Sequence, residues 1–203
     1  MQQKSAAYIT KGVFFFARAR ALAGFFFFVC LLGTGSSGLI AADKKSPRKM
    51  SLKEIRDART SEKDPAKRHR MNRDIIRSQE PGISDTLLES LKTDADPMVQ
   101  TGVVQELGNY VQNPGVIEAL VAALKTNPSN SVRMAAARSL ALTSSPIAAK
   151  ALSEAASDND PHVRKQVAFG LKFHKTKESK AALKKLKKDG DKNVRQMAGM
   201  VMP

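Results

Sequence analysis

The chain has 203 residues and a formal charge of +15, from 34 Lys and Arg against 19 Asp and Glu. Its single cysteine is Cys30, so disulfides and thiolate metal sites are excluded from everything downstream. There is no Trp and, after residue 42, only Tyr110, so stacking platforms are scarce, while the positive excess favours an anionic partner.

The first 42 residues contain Lys4, Lys11, Arg18 and Arg20 and no acid. An uncharged run from Ala21 to Ala42 follows, densest at Phe25-Phe26-Phe27-Phe28-Val29-Cys30-Leu31-Leu32 and ending in small residues. A basic start, an apolar core and a small-residue exit predict a cleaved signal peptide over residues 1–42, cut after Ala41 or Ala42. The alternative is a membrane anchor formed by residues 21–42, since 22 apolar or small residues can span a bilayer. A lipid-modified Cys30 is a third route. All three export the rest of the chain, to a periplasmic or extracellular location or to a tether at the envelope.

Residues 43–53 are charged, contain Pro47 and lack periodicity, which predicts a flexible linker. From residue 54 to 203 the chain reads as one repeat domain. Its mark is a recurring turn: Asp96-Pro97-Met98-Val99-Gln100, Ser129-Asn130-Ser131-Val132-Arg133, Asp160-Pro161-His162-Val163-Arg164 and Asp191-Lys192-Asn193-Val194-Arg195. The four valines are 33, 31 and 31 residues apart, and self-similarity at such a period signals a stacked repeat architecture. Relative to each valine, apolar residues recur at −11 (Leu88, Val121, Leu152, Leu183) and −8 (Leu91, Leu124, Ala155, Leu186). They recur again at +4 (Val103, Ala136, Val167, Ala198) and +8 (Leu107, Leu140, Leu171, Met202).

Two amphipathic stripes separated by a polar turn make a helix pair. Asp-Pro before the second stripe places a cap and then proline at the first helical position; Ser129 and Asp191 stand at the cap without proline. Helices of this length are marginal alone, so the pairs must stack and share a core. Residues 54–82 form a degenerate first copy, with Asp64-Pro65 as the turn, Met71 and Ile75 at +4 and +8, and Lys67 in the valine position.

Val132-Arg133-Met134-Ala135-Ala136-Ala137-Arg138-Ser139-Leu140, and nearly as well Val163 to Leu171, resembles the second helix of the HEAT repeat family. The short bacterial repeats of the phycobilisome-lyase kind are the nearest in pattern, and the resemblance extends over residues 83–203 and more loosely over 51–82. It implies an all-α fold, a right-handed α-solenoid of four to five helix pairs. It also implies that Asp96, Asp160 and Asp191 in the turns and Arg133, Arg164 and Arg195 on the helices form a structural ladder between repeats. Such folds serve many functions, so the motif is specific for architecture alone.

Chemistry is sparse. His69, His162 and His174 are scattered, no His-Glu pair occurs, and there is no Gly-rich phosphate loop. The expected role is therefore non-catalytic: a protein-interaction scaffold with no cofactor, no metal and no evident small-molecule substrate. Candidates for the partner surface on or near the second helices are Gln100, Gln105, Arg138, Lys165 and Gln166.

Charge is uneven, at +7 over residues 43–77, −5 over 78–160 and +9 over 161–203. Lys180, Lys184, Lys187 and Lys188 spread over the outer arc of one C-terminal helix, suited to diffuse attraction of anionic lipid or an envelope polymer. Two alternatives stand beside the scaffold. One is a nucleic-acid-binding protein using the basic ends, which the export signal argues against. The other is a lyase-related protein acting on a prosthetic group, for which these residues carry no positive sign.

Overall fold

The computed structural model describes residues 50–200; the expected signal or anchor segment, residues 1–42, and most of the expected linker lie outside them. Ten α-helices make up the described residues, with short 3-10 turns at Gly108–Tyr110 and Ala155–Ser157. They form five pairs: α1 (Leu52–Ser61) with α2 (Pro65–Ser78), α3 (Ile83–Thr93) with α4 (Pro97–Leu107), and α5 (Pro114–Thr126) with α6 (Asn130–Leu140). Then come α7 (Pro146–Glu154) with α8 (Pro161–Leu171), and α9 (Lys177–Leu186) with α10 (Lys192–Met200).

The first helix begins two residues before the expected end of the linker. Ser51 accepts the Glu54 backbone N–H while the Glu54 carboxylate accepts the Ser51 backbone N–H, at 2.8 Å. This reciprocal capping box satisfies two free backbone donors and fixes the helix start. The turn aspartates cap as expected: Asp96 accepts from the N–H groups of Met98 and Val99, Asp160 from His162 and Val163, and Asp191 from Asn193 and Val194. Ser129 stands at the cap of α6, but its side chain makes no capping bond.

Stacking follows the periodicity. Val99, Val132, Val163 and Val194 are fully buried, as are Val103, Ala136, Val167 and Ala198 four residues on. Each fully buried valine or leucine contributes about 1.5–3 kcal/mol of transfer free energy, so this repeated set dominates the core. Successive second helices pack on each other from α2 through α4, α6 and α8 to α10, and α3, α5, α7 and α9 make the other layer. The layer of second helices is the more closely packed of the two. Its close approach uses glycine where a side chain would collide: a Cβ on Gly170 would lie 3.3 Å from both the Ala137 carbonyl oxygen and Leu152. At Gly199 the same test meets nothing within 4 Å, so close packing does not account for that residue.

The ladder exists, and its acid is not the one the resemblance implied. Arg133 donates through Nε and Nη2 to the two carboxylate oxygens of Asp158 (2.9 and 3.0 Å), and Arg164 does the same to Asp189 (2.8 and 2.9 Å). The carboxylates of Asp160 and Asp191 are already turned to their helix N-termini, so the rung passes to the aspartate two residues earlier. That aspartate also accepts the backbone N–H of the cap residue, at 2.9 Å for both Asp160 and Asp191. Each arginine further donates Nη1 to two carbonyls of its own turn, Asn127 and Pro128 for Arg133, Asp158 and Asn159 for Arg164. Arg195 makes the same two turn contacts, to Asp189 and Gly190, and no ion pair among the described residues.

Between the second and third pairs the rung is neutral. Gln100 Nε2 donates to the Asp94 carbonyl (2.8 Å) and Gln100 Oε1 accepts from Asn127 Nδ2 (3.0 Å). The geometry of the charged rungs is kept with amides in place of ions.

Two aspartates that look alike in sequence thus do different work, and their removal should differ. Asp158→Ala strands the half-buried Arg133 guanidinium and is expected to cost about 2 kcal/mol, within the range for breaking partly buried charged pairs. Asp160→Ala removes a cap and is expected to cost about 1 kcal/mol. Urea unfolding of the two variants gives the order directly.

Candidate functional site

With the apolar stripes buried and the turns consumed by rungs and caps, the second helices keep one outward register. At six residues after the valine position it carries Arg73, Gln105, Arg138, Phe169 and Met200, all exposed. In this register the polar side chains of α2, α4 and α6 give way to apolar ones on α8 and α10.

Four residues further along, Leu142 and Phe173 stand 65% and 51% exposed. Gln105, Arg138, Ser139, Ala141, Leu142, Phe169 and Phe173 together line a groove of about 460 Å³ across α4, α6 and the end of α8. Phe169 and Phe173 meet edge to face with ring centroids 5.5 Å apart, and Lys172 Nζ lies 5.5 Å from the Phe173 centroid. Such contacts hold the rings in place while leaving their outer faces to solvent.

The groove floor is anchored from below. Ser139 Oγ–H donates to the Val104 carbonyl at 2.9 Å, tying α6 to α4. His174, the residue after Phe173, is only 5% exposed and its Nε2 lies 3.3 Å from the Leu140 carbonyl, which accepts the N–H of that tautomer. Burial disfavours the imidazolium and lowers the His174 pKa from its ordinary 6.5, against the opposing pull of the Leu140 carbonyl.

A second depression of about 430 Å³ adjoins it through Gln105, with His69, Met98, Thr101, Gly102 and Ser131 on its walls. A Cβ on Gly102 would fall 2.4 Å from the His69 ring, so a larger residue there would displace that side chain. The strip brings Arg138 and Gln105 together with two aromatic rings and a leucine, a composition that suits a protein partner.

Of the sequence candidates, Gln105 and Arg138 line the groove. Gln100 does not reach it, because both ends of its amide are used in the neutral rung. Lys165 and Gln166 are half-buried on α8, outside the groove lining. Leu142, Phe169 and Phe173 were missed. The signal for Phe169 is present in the sequence, since it stands in the register of Gln105 and Arg138, where solvent-facing polar residues precede it. Lys180 and Lys184 are exposed on α9 and Lys187 and Lys188 in the turn that follows it, in the other layer from the groove. Among the described residues no three His, Cys, Asp or Glu side chains gather as a metal site would require.

The model of HEAT repeats matches residues 52–141, 84–171 and 117–202, and so covers the five pairs. The chain belongs to the HEAT repeat family. Among solved structures, the complex of CpcE and CpcF of phycocyanin lyase from Nostoc sp. PCC7120 is similar at a TM-score of 0.59 and 17% identity, over 75% of this chain and 98% of that one. Two engineered proteins are similar at TM-scores of 0.54 and 0.55, with 23% and 22% identity, over 74% of this chain and 77% and 79% of theirs. At such identities the likeness establishes the HEAT fold alone. No curated protein matches the chain at a significant level.

The buried imidazole gives this HEAT stack a pH limb. Because the folded pKa of His174 lies below its unfolded value, its neutral form is favoured by folding. Stability is fully present above about pH 6.5 and falls as pH drops below it, at no more than ~1.4 kcal/mol per pH unit. Urea midpoints of the wild type and of His174→Gln between pH 7.5 and 5 should diverge, the wild type losing more.

Proposed function

We propose that this chain is a non-catalytic scaffold that holds a partner protein against the exposed face of its second helices. The observation that carries the reading is the groove of Gln105, Arg138, Leu142, Phe169 and Phe173. Two aromatic rings and a leucine stand together in solvent there, lining one groove with Gln105 and Arg138. Aromatic residues and arginine at the centre of an exposed patch are the usual anchors of a protein interface. The fitting partner is a segment with apolar side chains for Phe169, Phe173 and Leu142 and an acid for Arg138. The lysines of α9 supply a second, weaker contact with anionic lipid or an envelope polymer. Residues 1–42 supply the export signal, which puts the meeting place at the cell envelope.

A photo-crosslinking amino acid at position 173 should trap a discrete protein adduct in cells, and the same group at position 184 should not. Phe169→Asp with Phe173→Asp should abolish the adduct formed from position 142 while leaving the helical spectrum unchanged. Equal crosslinking from both layers would contradict the groove as the docking face. The N-terminus of the mature protein tests the export reading separately: cleavage after Ala41 or Ala42 supports it, and intact cytosolic protein opposes it.

A further inference from the structure

The first pair breaks the repeat pattern at two positions. Counting back from Lys67, which stands in the place of the valines, the −11 and −8 residues are Arg56 and Arg59. The later pairs carry Leu, Val or Ala there. Arg59 is nevertheless buried, at 7% exposure. Its Nη2 donates to Asp94 Oδ2 at 2.9 Å, while Arg68 donates Nε to the same oxygen at 2.7 Å and Nη2 to Oδ1 at 3.0 Å.

One carboxylate therefore serves two guanidinium groups, where the rungs at Arg133 and Arg164 match one to one. The hydrogen-bonded triad has one more guanidinium than carboxylate, with its side chains largely buried, and Glu89 adds a further attraction for Arg59. Buried charge of this kind is costly unless a counter-charge completes it.

The hydrogen bonds point the same way. Arg59 Nε–H is buried and has no acceptor. The unmatched group on this cleft is a donor. Arg59 lines a half-open cleft of about 380 Å³ between α1 and α3, with Arg56 at its exposed side and Thr60, Thr86, Ser90 and Thr93 around it. Glu62 and Glu89 are also on the lining; Glu62 is engaged by the Asp64 backbone N–H and lies 3.7 Å from Lys67.

We propose that this cleft is a binding site for a small free oxyanion of the phosphate or carboxylate class. The anion accepts from Arg59 Nε and from the Arg56 guanidinium, and it neutralises the charge that Asp94 leaves over. The site lies at the N-terminal end of the stack and is independent of the groove at Phe169 and Phe173.

The test is thermal unfolding of the full chain titrated with inorganic phosphate, and separately with succinate, at ionic strength held constant with sodium chloride. The wild type should show a saturable rise in midpoint with at least one of the two anions. Arg59→Leu, which restores the residue type of the other pairs, should fold and lose the saturable rise. Arg56→Gln, at an exposed position, should weaken the apparent affinity about tenfold, as expected for one charge-assisted hydrogen bond. Lys184→Gln with Lys188→Gln should leave it unchanged. No saturable rise with either anion, its persistence in both arginine variants, or its loss in the α9 lysine variant would overturn the proposal. The last outcome would mean diffuse attraction to the lysine-rich helix.

Discussion

A guanidinium group that holds the turn on one side and an aspartate of the following turn on the other is the contact on which this stack depends. The hydrophobic effect that buries valine, leucine and alanine is non-directional and leaves neighbouring pairs some freedom to slide or rotate. Arginine does not allow that freedom. Its planar fork matches a carboxylate in one orientation, and its remaining nitrogen bonds two carbonyls of its own turn. Arg68, Arg133 and Arg164 each fix one junction in this way, and Gln100 with Asn127 fixes the remaining one without charge. The pitch of the solenoid is set in the turns, and the helices fill the space so defined.

That division of labour decides where function can reside. The turns have little chemistry to spare, since their aspartates cap helices or receive arginines and their carbonyls are occupied. The inward stripes are buried. What is left is the outward face of each helix, and there the repeats stop resembling one another. On the second helices the change from Arg138 to Phe169 in a single register creates a groove that sets a cation among aromatic and aliphatic side chains. On α9 the outward face is lysine. At the N-terminal pair, two arginines replace the apolar stripe, and α1 packs on α2 without closing against α3, which opens a polar cleft.

Much of this was legible in the chain. The spacing of the four valines gave the helix pairs, and Asp-Pro placed the starts of α2, α4 and α8. The rung was harder to place because Asp94-Ala95-Asp96, Asp158-Asn159-Asp160 and Asp189-Gly190-Asp191 each present two aspartates that pattern alone cannot tell apart. Only geometry assigns the second to the cap and the first to the neighbouring arginine. Gln100 misled for a related reason: a lone glutamine in a turn reads as surface until its partner, Asn127, is seen 27 residues away. Phe169 and Phe173 went unnoticed because the repeat period marks the buried stripes and says nothing of which outward positions gather in one groove. Arg59 went unnoticed because its partner, Asp94, lies 35 residues away.

The turn rung couples adjacent repeats, and the neutral junction offers the most direct measurement of that coupling. Gln100→Arg, Asn127→Asp and the double variant form a double-mutant cycle on unfolding free energy. The rung predicts that each single change destabilises, that the double variant recovers or exceeds wild-type stability, and that the coupling is about 1 kcal/mol or more. Additive effects, with no coupling between positions 100 and 127, would contradict it.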